Sequence, residues 1–392
     1  MVRKIKDGIF EVGSIDWDRR LFDELIPLPD GTSYNSYLIQ GSERTVLIDT
    51  VDPSKSEELL SNLKSVGVER LDYLIANHAE QDHSGTIPLI LDNYPQAKLV
   101  VDQKCQDFLV SLLHIPVERC QVVGDGDGLS LGNRSLEFLI TPWVHWPETM
   151  LTYLVDDRIL FSCDLFGSHF AQSELYITDT RRSYLAAKRY YAEIMMPFRS
   201  KIRNHLDRVN RLELDIIAPS HGPLYAEPRF ILDAYQDWTS EGVKNEVVLP
   251  FVSMHGSTRK MVDYFIAALI KRGITVIPFN LTTADLGELA MAIVDAATIV
   301  IGTPTVLTGP HPSAIYAAYL VGALRPKTRY VSIIGSYGWG GRMVETIKNL
   351  IKNLKAEIIA PVVVTGHPRE EDLAKLDQLA DEISSRHNRL EA

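Results

Sequence analysis

The sequence predicts two α/β domains of different architecture, an αβ sandwich followed by a doubly wound sheet of five parallel strands. Residues before about 240 contain short apolar strands that end in polar side chains, with few long helices between them. Residues after about 246 alternate regularly between apolar strands and helices, which is typical of a parallel sheet covered on both faces. A polar stretch, DWTSEGVKN at 237–245, separates the two patterns. We therefore expect domains at 1–245 and 246–392.

Composition excludes several classes of protein. The net charge of −11 argues against nucleic acid or an anionic membrane surface as the main partner. The three cysteines are far apart and form no CxxC pair, which excludes a disulfide framework, a Cys-type zinc site and a Cys-ligated iron–sulfur cluster. The amino-terminal residues lack the apolar stretch of a signal peptide, and no apolar run is long enough to span a membrane. We expect a protein of the reducing cytoplasm.

Strands dominate the prediction for the first domain. They are expected at GTSYNSYLIQ, RTVLIDTV, LDYLIANH, AKLVVDQ, SLEFLITP, TMLTYLVDD, RILFSCD and LDIIAPSHG. Helices are expected from Ser54 to Val66 and, as one long stretch, from about Tyr184 to Val209. Polar residues at the strand ends place the site along one sheet edge.

The second domain is expected to repeat a strand and a helix five times. The strands are VVLPFVSM, ITVIPFNL, TIVIGTPT, YVSIIGSY and EIIAPVVVTG, and the helices follow at about 258–272, 283–296, 316–324, 341–354 and 369–386. We expect the strand order 2-1-3-4-5, in which ligands bind at the carboxyl ends of the strands.

The most specific motif is HAEQDH, which directly follows the apolar strand LDYLIAN. It places His78, Glu80, Asp82 and His83 within six residues, all able to bind a metal. Any one of these residues alone would more often be solvated or structural. Four of them at the mouth of one strand indicate a metal site.

Three further candidates follow later strands of the same domain. His145 lies in TPWVHWPETM, Asp164 follows ILFSC, and His221 follows IIAPS. With HAEQDH they supply four imidazoles and three carboxylates, enough for two metals that share one carboxylate. Such a set suits iron redox chemistry, although zinc would tolerate it too. Other histidines, among them His169, are less specific; His169 is a candidate for contact with a ligand.

This series resembles the metallo-β-lactamase superfamily, whose HxHxDH motif is likewise followed by His, Asp and His. Glu80 stands where the hydrolases have their second histidine. The resemblance covers about the first 245 residues and implies an αβ/βα sandwich.

Three loops of the second domain lie at strand ends and resemble the FMN loops of a flavodoxin. The first is a Ser/Thr-rich turn that opens a helix and offers free N–H groups to an anion. The other two are GTPTVLTG and GSYGWGG, whose glycines allow close backbone approach. The resemblance implies FMN contacts from Ser253, His255, Gly256, Ser257, Thr258, Pro304, Thr305, Leu307, Thr308, Ser336, Tyr337, Gly338, Trp339, Gly340 and Gly341.

The two halves together resemble the flavodiiron proteins along essentially the whole chain. The resemblance implies an oxidoreductase with FMN and two irons that reduces O2 to water or NO to N2O. It implies that His78, Glu80 and His145 hold one iron, that Asp82, His83 and His221 hold the other, and that Asp164 bridges them. Trp146 is expected to wall the gas pocket, and Tyr191, or its neighbour Tyr190, to donate a proton or a hydrogen bond.

The family also implies partners. Members assemble as head-to-tail homodimers or dimers of dimers. Because the chain has no fused rubredoxin motif, electrons are expected from a separate donor, either coenzyme F420H2 or a rubredoxin-like protein. Two alternatives stay open at this point, a zinc hydrolase with a flavodoxin-like regulatory module and a non-enzymatic electron carrier or gas sensor.

Overall fold

A computed structural model describes residues 1–390, which form two compact units. The first unit comprises Met1–Tyr191 and Phe198–Thr239. The second comprises Ala192–Pro197 and the chain from Ser240 onward. Within residues 1–390, no helix combines the length and the apolar character that crossing a bilayer requires.

The first unit consists mainly of short strands. They are β1 (Arg3–Lys6), β2 (Ile9–Glu11), β3 (Ser14–Asp16), β4 (Leu21–Phe22), β5 (Ile26–Pro27), β6 (Thr32–Tyr34), β7 (Tyr37–Gln40), β8 (Thr45–Ile48), β9 (Tyr73–Ile75), β10 (Lys98–Val101), β11 (Cys120–Val122), β12 (Gly128–Ser130), β13 (Ser135–Ile140), β14 (Met150–Leu154), β15 (Ile159–Cys163) and β16 (Ile216–Pro219). Its helices are α1 (Ser56–Ser65), α2 (Gln81–Ser84), α3 (Ile87–Asn93), α4 (Gln103–Leu113), α5 (Thr180–Tyr190), α6 (Arg199–Val209) and α7 (Pro228–Thr239).

Two sheets form the centre of this unit. One has the order β1-β2-β7-β8-β9-β10-β11 and the other the order β12-β13-β14-β15-β16. Their facing side chains share one apolar core, to which Ile39 and Ile75 contribute from the first sheet and Phe138 and Phe161 from the second. A second core covers the other face of the first sheet, beneath α1, α3 and α4. The layers are therefore helix, sheet, sheet, with further helices after β15.

The predicted strand GTSYNSYLIQ is two strands in the structure, because the chain breaks at Asn35. β6 pairs with β3 in a small separate sheet, and β7 joins the seven-stranded sheet. The Asn35 amide donates to the carbonyl oxygens of Pro219 and Gly222, at 2.8 Å each, and its backbone N–H donates to that of Ser220. Asn35 thus holds the loop that carries His221.

The predicted helix from Tyr184 to Val209 is also interrupted. α5 ends at Tyr190, a π-helical turn covers Tyr191–Met195, a 3₁₀ turn covers Met196–Phe198, and α6 then begins. Pro197 explains the break, because proline lacks the N–H that continues a helix and its ring clashes with the preceding turn. π turns of this kind change the direction in which neighbouring side chains point.

The second unit has the predicted alternation. Its strands are β17 (Lys244–Phe251), β18 (Thr275–Asn280), β19 (Ala296–Val306), β20 (Gly309–Pro310), β21 (Tyr330–Tyr337), β22 (Glu357–Ile358) and β23 (Val362–Thr365). Its helices are α8 (Ser257–Ile270), α9 (Leu286–Ile293), α10 (Pro312–Leu324), α11 (Met343–Leu350) and α12 (Glu370–Asn388).

The sheet of this unit has the order β18-β17-β19-β21, with β22 and β23 pairing in turn with β21, and these pairs are all parallel. This is the expected 2-1-3-4-5 order. The fifth strand was predicted as one run, but Pro361 divides it, since proline has no N–H to give to the sheet. α8 and α12 pack on one face with an apolar core that includes Phe265, Leu376 and Ile383.

His387 anchors α12 to this sheet by hydrogen bonds of both ring nitrogens. Nδ1 lies 2.8 Å from the side-chain oxygen of Asn245, and Nε2 lies 2.7 Å from the Thr298 hydroxyl. Because Nδ1 donates to the amide oxygen, Nε2 accepts from the hydroxyl, and both partners suit the neutral ring. Burial lowers the pKa of His387 from 6.5 to about 4.

We expect this histidine to make the second unit less stable as the pH is lowered. A histidine whose folded pKa is lowered contributes fully above its unfolded pKa of 6.5, and the contribution is lost as the pH falls toward about 4. Urea unfolding of the full chain across this range should show a loss of roughly 2 kcal/mol that His387→Gln does not show. Equal pH profiles for the two proteins would contradict the prediction.

Candidate functional site

The seven predicted metal-binding residues lie together at one edge of the sandwich. Strand β9 leads into HAEQDH, whose last part forms helix α2. His145 lies in the loop between β13 and β14, Asp164 directly follows β15, and His221 comes two residues after β16. All seven side chains are at most 16% exposed. They lie close enough to form two groups: His78, Glu80, His145 and Asp164, and Asp82, His83 and His221.

The first group is arranged around one carboxylate oxygen of Glu80. Oε2 of Glu80 lies 3.1 Å from Nε2 of His78 and 3.2 Å from Nε2 of His145. Oδ2 of Asp164 lies 3.5 Å from each of these two nitrogens. Four donor atoms therefore surround one point.

The second group has the same composition. Nε2 of His221 lies 3.1 Å from Oδ2 of Asp82, and Nε2 of His83 lies 3.4 Å from Oδ1 of Asp82. Oδ1 of Asp164 lies 3.1 Å from Nε2 of His83 and 3.4 Å from Nε2 of His221. Asp164 thus presents one oxygen to each group, which is the geometry of a bridging carboxylate.

The chemistry of this donor set fits two metal ions. Both carboxylate oxygens of Asp82 and Oδ2 of Asp164 are buried and have no hydrogen-bond partner within residues 1–390. Buried carboxylates without partners are costly unless a cation compensates them. Ligand atoms about 2.1 Å from one ion lie roughly 3.0–3.4 Å from one another, close to the separations observed here.

Mutual attraction shifts the pKa values of these groups. Burial disfavours the imidazolium of His221, but Asp164 and Asp82 outweigh this effect and raise its pKa to about 10. Asp164 and Glu80 likewise raise the pKa of His145 to about 9 against the effect of burial. Burial would raise the pKa of Asp164, yet the surrounding histidines hold it well below the usual range. Asp164 is therefore anionic and attracts cations.

A buried polar network fixes the backbone of HAEQDH. The two oxygens of Asp49, at the end of β8, accept from the backbone N–H of Asn77 at 2.8 Å and from its side-chain amide at 3.0 Å. The Thr152 hydroxyl donates to the side-chain oxygen of Asn77. Thr50 donates its N–H and its hydroxyl to the carbonyl oxygen of His83. Both ends of the motif are therefore held by β8 and β14.

Glu148 contacts the site and was not among the sequence-predicted residues. Its Oε1 accepts from Nδ1 of His78 at 2.6 Å and from the backbone N–H of Ala79 at 3.1 Å. The side chain is fully buried, and its Oε2 has no partner within residues 1–390. The Nδ1 of His221 instead donates to the backbone carbonyl of Ser33 at 2.7 Å. A Glu three residues after His145 is the only signal in the sequence, and it is a weak one.

Trp146, which the sequence predicts at the wall of a gas pocket, packs against the imidazoles of the first group. Its ring lies edge-on to that of His78, with centroids 5.0 Å apart, and 6.3 Å from that of His145. It covers one side of this group.

The structure favours Tyr190 over Tyr191 as the tyrosine of the site. The Tyr190 hydroxyl donates to Oδ1 of Asp164 at 2.8 Å. The Tyr191 hydroxyl donates to the carbonyl oxygen of Trp238, and its ring packs on Tyr235 and Trp238. Adjacent residues of a helix point about 100° apart, so the two rings have different surroundings. The sequence predicts Tyr191, or its neighbour Tyr190, at the site, and of the two it is Tyr190 whose hydroxyl contacts the cluster.

His169 lies next to the second group. Its ring centroid is 5.0 Å from that of His221 and 4.9 Å from that of Tyr190, and its Nδ1 is 2.8 Å from the Thr32 hydroxyl. Phe22, from the β4–β5 hairpin, covers its other side. The buried hydroxyl of Tyr34, whose ring packs edge-on to His221, was not predicted either.

The loops predicted to bind FMN meet at the carboxyl ends of β17, β19 and β21. Gly256 precedes α8 with a φ of +84°, which only glycine adopts easily. The Thr258 hydroxyl lies 3.3 Å from that of Ser336, which joins the first loop to the third. A Cβ on Gly341 would lie 2.8 Å from the Thr305 side chain, which shows how closely the second and third loops approach.

The residues around these loops fit a flavin. Leu307, Trp339 and Met254 are 92%, 80% and 49% exposed, so the strand ends carry apolar side chains that a flat aromatic ring would cover. A cavity of about 710 Å³ adjoins the loops, lined in part by Thr305, Tyr337, Gly340 and Gly341. The predicted residues His255, Gly338, Ser253, Ser257, Pro304, Thr308 and Gly340 belong to the same loops.

Comparisons with known proteins find relatives along almost the whole chain. The model of the ODP family β-lactamases matches residues 32–222. A nitric oxide reductase of Moorella thermoacetica is 35% identical and is matched over 97% of this chain and 98% of its own. A coenzyme F420H2 oxidase of Methanothermobacter marburgensis is 34% identical, with 95% of each chain covered. A type A flavoprotein of Rhodobacter capsulatus is 32% identical over 97% of this chain and 92% of its own.

Solved structures extend the agreement to the fold. Rubredoxin oxygen:oxidoreductase from Desulfovibrio gigas has a TM-score of 0.96 and 29% identity, and covers 100% of both chains. The flavodiiron protein of Giardia intestinalis has a TM-score of 0.91 and 26% identity over 100% of this chain and 97% of its own. The predicted fold class, a metallo-β-lactamase-like sandwich followed by a flavodoxin-like sheet, is confirmed. The chain belongs to the flavodiiron family, the type A flavoproteins.

Proposed function

We propose that this protein is an oxidoreductase that reduces O2 to water at a di-iron centre, with electrons relayed through FMN. The observation that carries the proposal is the pair of matched donor groups joined by Asp164. The reaction consumes four electrons and four protons per O2 and releases two molecules of water. The irons supply binding and reduction of the gas, and FMN supplies the exchange of one or two electrons at a time.

The proposed assignment gives each iron two imidazoles and one carboxylate. His78, Glu80 and His145 hold the first iron, and Asp82, His83 and His221 hold the second, with Asp164 between them. A diferrous pair carries four positive charges against three carboxylates, so the bound pair is close to neutral in this buried site. The Nδ1–H bonds of His78 and His221 leave the Nε2 lone pairs free for the metals.

The chain's own residues control the surroundings of the gas. Trp146 excludes water from the side of His78. Burial, together with the nearby Asp164 charge, raises the pKa of Tyr190 far above its ordinary value, so this phenol remains a hydrogen-bond donor at Oδ1 of Asp164. His169 and Tyr34 border the second group.

NO reduction to N2O is the second candidate reaction. It uses two NO, two electrons and two protons, and gives N2O and water. The relative named nitric oxide reductase, at 35% identity, favours it. The proposed electron donor is coenzyme F420H2 or a rubredoxin-like protein, as the names of an oxidase and of a rubredoxin oxygen:oxidoreductase among the similar proteins suggest.

A zinc hydrolase with a flavodoxin-like module is disfavoured by two features. Glu80 replaces the histidine of the hydrolase motif, and the flavin loops retain their apolar faces. A passive electron carrier or gas sensor would not turn over. We propose further that the first unit is the di-iron domain and the second the FMN domain. The second unit begins at Ser240, a few residues before the predicted boundary at 245. We also propose that the chains assemble head to tail as dimers or dimers of dimers.

The donor and the gas can be tested together. We expect the purified protein to contain two irons and one FMN per chain and to consume O2 steadily when given F420H2 or reduced rubredoxin. Anaerobic assays with each donor and with each gas in turn rank the four combinations. A colourless, zinc-only preparation without flavin, or the absence of turnover with either gas, would contradict the proposal.

Removal of single ligands should separate the two cofactors. In Glu80→Ala and Asp164→Ala we expect iron to fall below two per chain and gas reduction to be lost by at least about a hundredfold. FMN should remain at one per chain, since its loops lie on the other unit. Glu213→Ala, which removes an exposed carboxylate, serves as the control. Full turnover after loss of iron would refute the ligand assignment.

A further inference from the structure

Each metal position has two imidazoles and one terminal carboxylate, from Glu80 at the first and Asp82 at the second, but the outer contacts of the two positions differ. At the first position, Nδ1 of His78 donates to a buried carboxylate, Glu148, at 2.6 Å. At the second, Nδ1 of His221 donates to the neutral backbone carbonyl of Ser33. Within residues 1–390, Glu148 is the one carboxylate outside the cluster that contacts a cluster imidazole.

A carboxylate partner changes what an imidazole gives to a metal. By accepting Nδ1–H strongly, it pushes electron density toward Nε2 and makes the ring a better donor. Oε2 of Glu148 is buried and has no hydrogen-bond partner within residues 1–390. A stronger donor stabilises the ferric ion more than the ferrous ion, because the ferric ion carries more charge. Glu148 therefore lowers the reduction potential at the first position.

Tyr190 acts in the opposite sense at the second position. Its hydroxyl donates to Oδ1 of Asp164, the oxygen that faces His83 and His221, and not to Oδ2, which faces His78 and His145. A hydrogen bond withdraws density from the oxygen that accepts it. The second position therefore has the weaker share of the bridging carboxylate, which favours the ferrous ion there.

Resting on the proposed di-iron function, we infer that Glu148 and Tyr190 are positioning residues that make the two irons unequal. The iron held by His78, Glu80 and His145 loses an electron first, and the iron held by Asp82, His83 and His221 stays ferrous longer. The step is the removal of one electron from the diferrous pair to a titrated oxidant, which gives one ferric and one ferrous ion. The protein thus defines which iron yields the first electron.

The test is a redox titration of the holoprotein, followed by EPR and Mössbauer spectroscopy rather than by turnover. In the wild type, the fraction of protein in the mixed-valent form should reach a high maximum during the titration. Glu148→Gln should raise the lower of the two iron reduction potentials, and Tyr190→Phe should lower the higher one. Each variant therefore narrows the difference between the two potentials. We expect each variant to reduce the equilibrium constant that forms the mixed-valent pair from the diferrous and diferric forms by roughly tenfold. The double variant should reduce this constant by about the product of the two single effects.

Matched controls separate these effects from general damage. Asp102→Asn removes a buried carboxylate that lies near Glu148 but caps α4 instead of contacting an imidazole. Tyr225→Phe removes a buried hydroxyl that donates to the carbonyl oxygen of Phe166. Both controls should keep the wild-type difference between the two reduction potentials. The inference is overturned if Glu148→Gln and Tyr190→Phe leave the difference between the two reduction potentials unchanged. It is also overturned if the controls change this difference equally. A wild-type protein without two irons overturns the proposed function itself.

Discussion

Three carboxylates lie at one sheet edge and repel one another, and the architecture of the first unit compensates this repulsion. Asp82 and Asp164 are buried, and Glu80 is only 13% exposed, so the three carboxylates have little contact with water. Bringing like charges together out of water is costly, so each needs a compensating partner. Four imidazoles surround the carboxylates, and Asp49, Asn77 and Thr152 hold the backbone that carries them. The two sheets pack so that the ends of four strands, β9, β13, β15 and β16, bring the seven ligands to this edge.

Much of the candidate site could be predicted, because its chemistry is concentrated in short motifs at strand ends. HAEQDH is contiguous, and an apolar strand before it identifies where it lies. His145, Asp164 and His221 also follow strands, and strand ends on one side of a sandwich come together. Their pairing into two groups follows from the resemblance, whereas the orientation of Asp164 toward both groups depends on atomic positions.

Other features depend on tertiary structure and have no local signal. Glu148 reaches His78 only because the β13–β14 loop folds back over β9. The choice between Tyr190 and Tyr191 depends on which side of α5 faces the cluster, and the local sequence does not identify that side. In the second unit, the periodic alternation was enough to predict the strand order, but Pro361 and the caps of α9 set the actual bounds. Periodicity therefore predicts which elements exist better than where they end.

The break at Asn35 has a consequence for the order in which parts of the protein fold during synthesis. Asn35 holds the loop of His221, more than 180 residues later in the chain, through hydrogen bonds to Pro219 and Gly222. During synthesis the amino-terminal strands therefore wait for the end of the sandwich before the second metal position is complete. Contacts of such long range close late in folding. A nascent chain that stops short of His221 has the motif HAEQDH but only part of the donor set, so the second metal position is complete only after His221 has been synthesised.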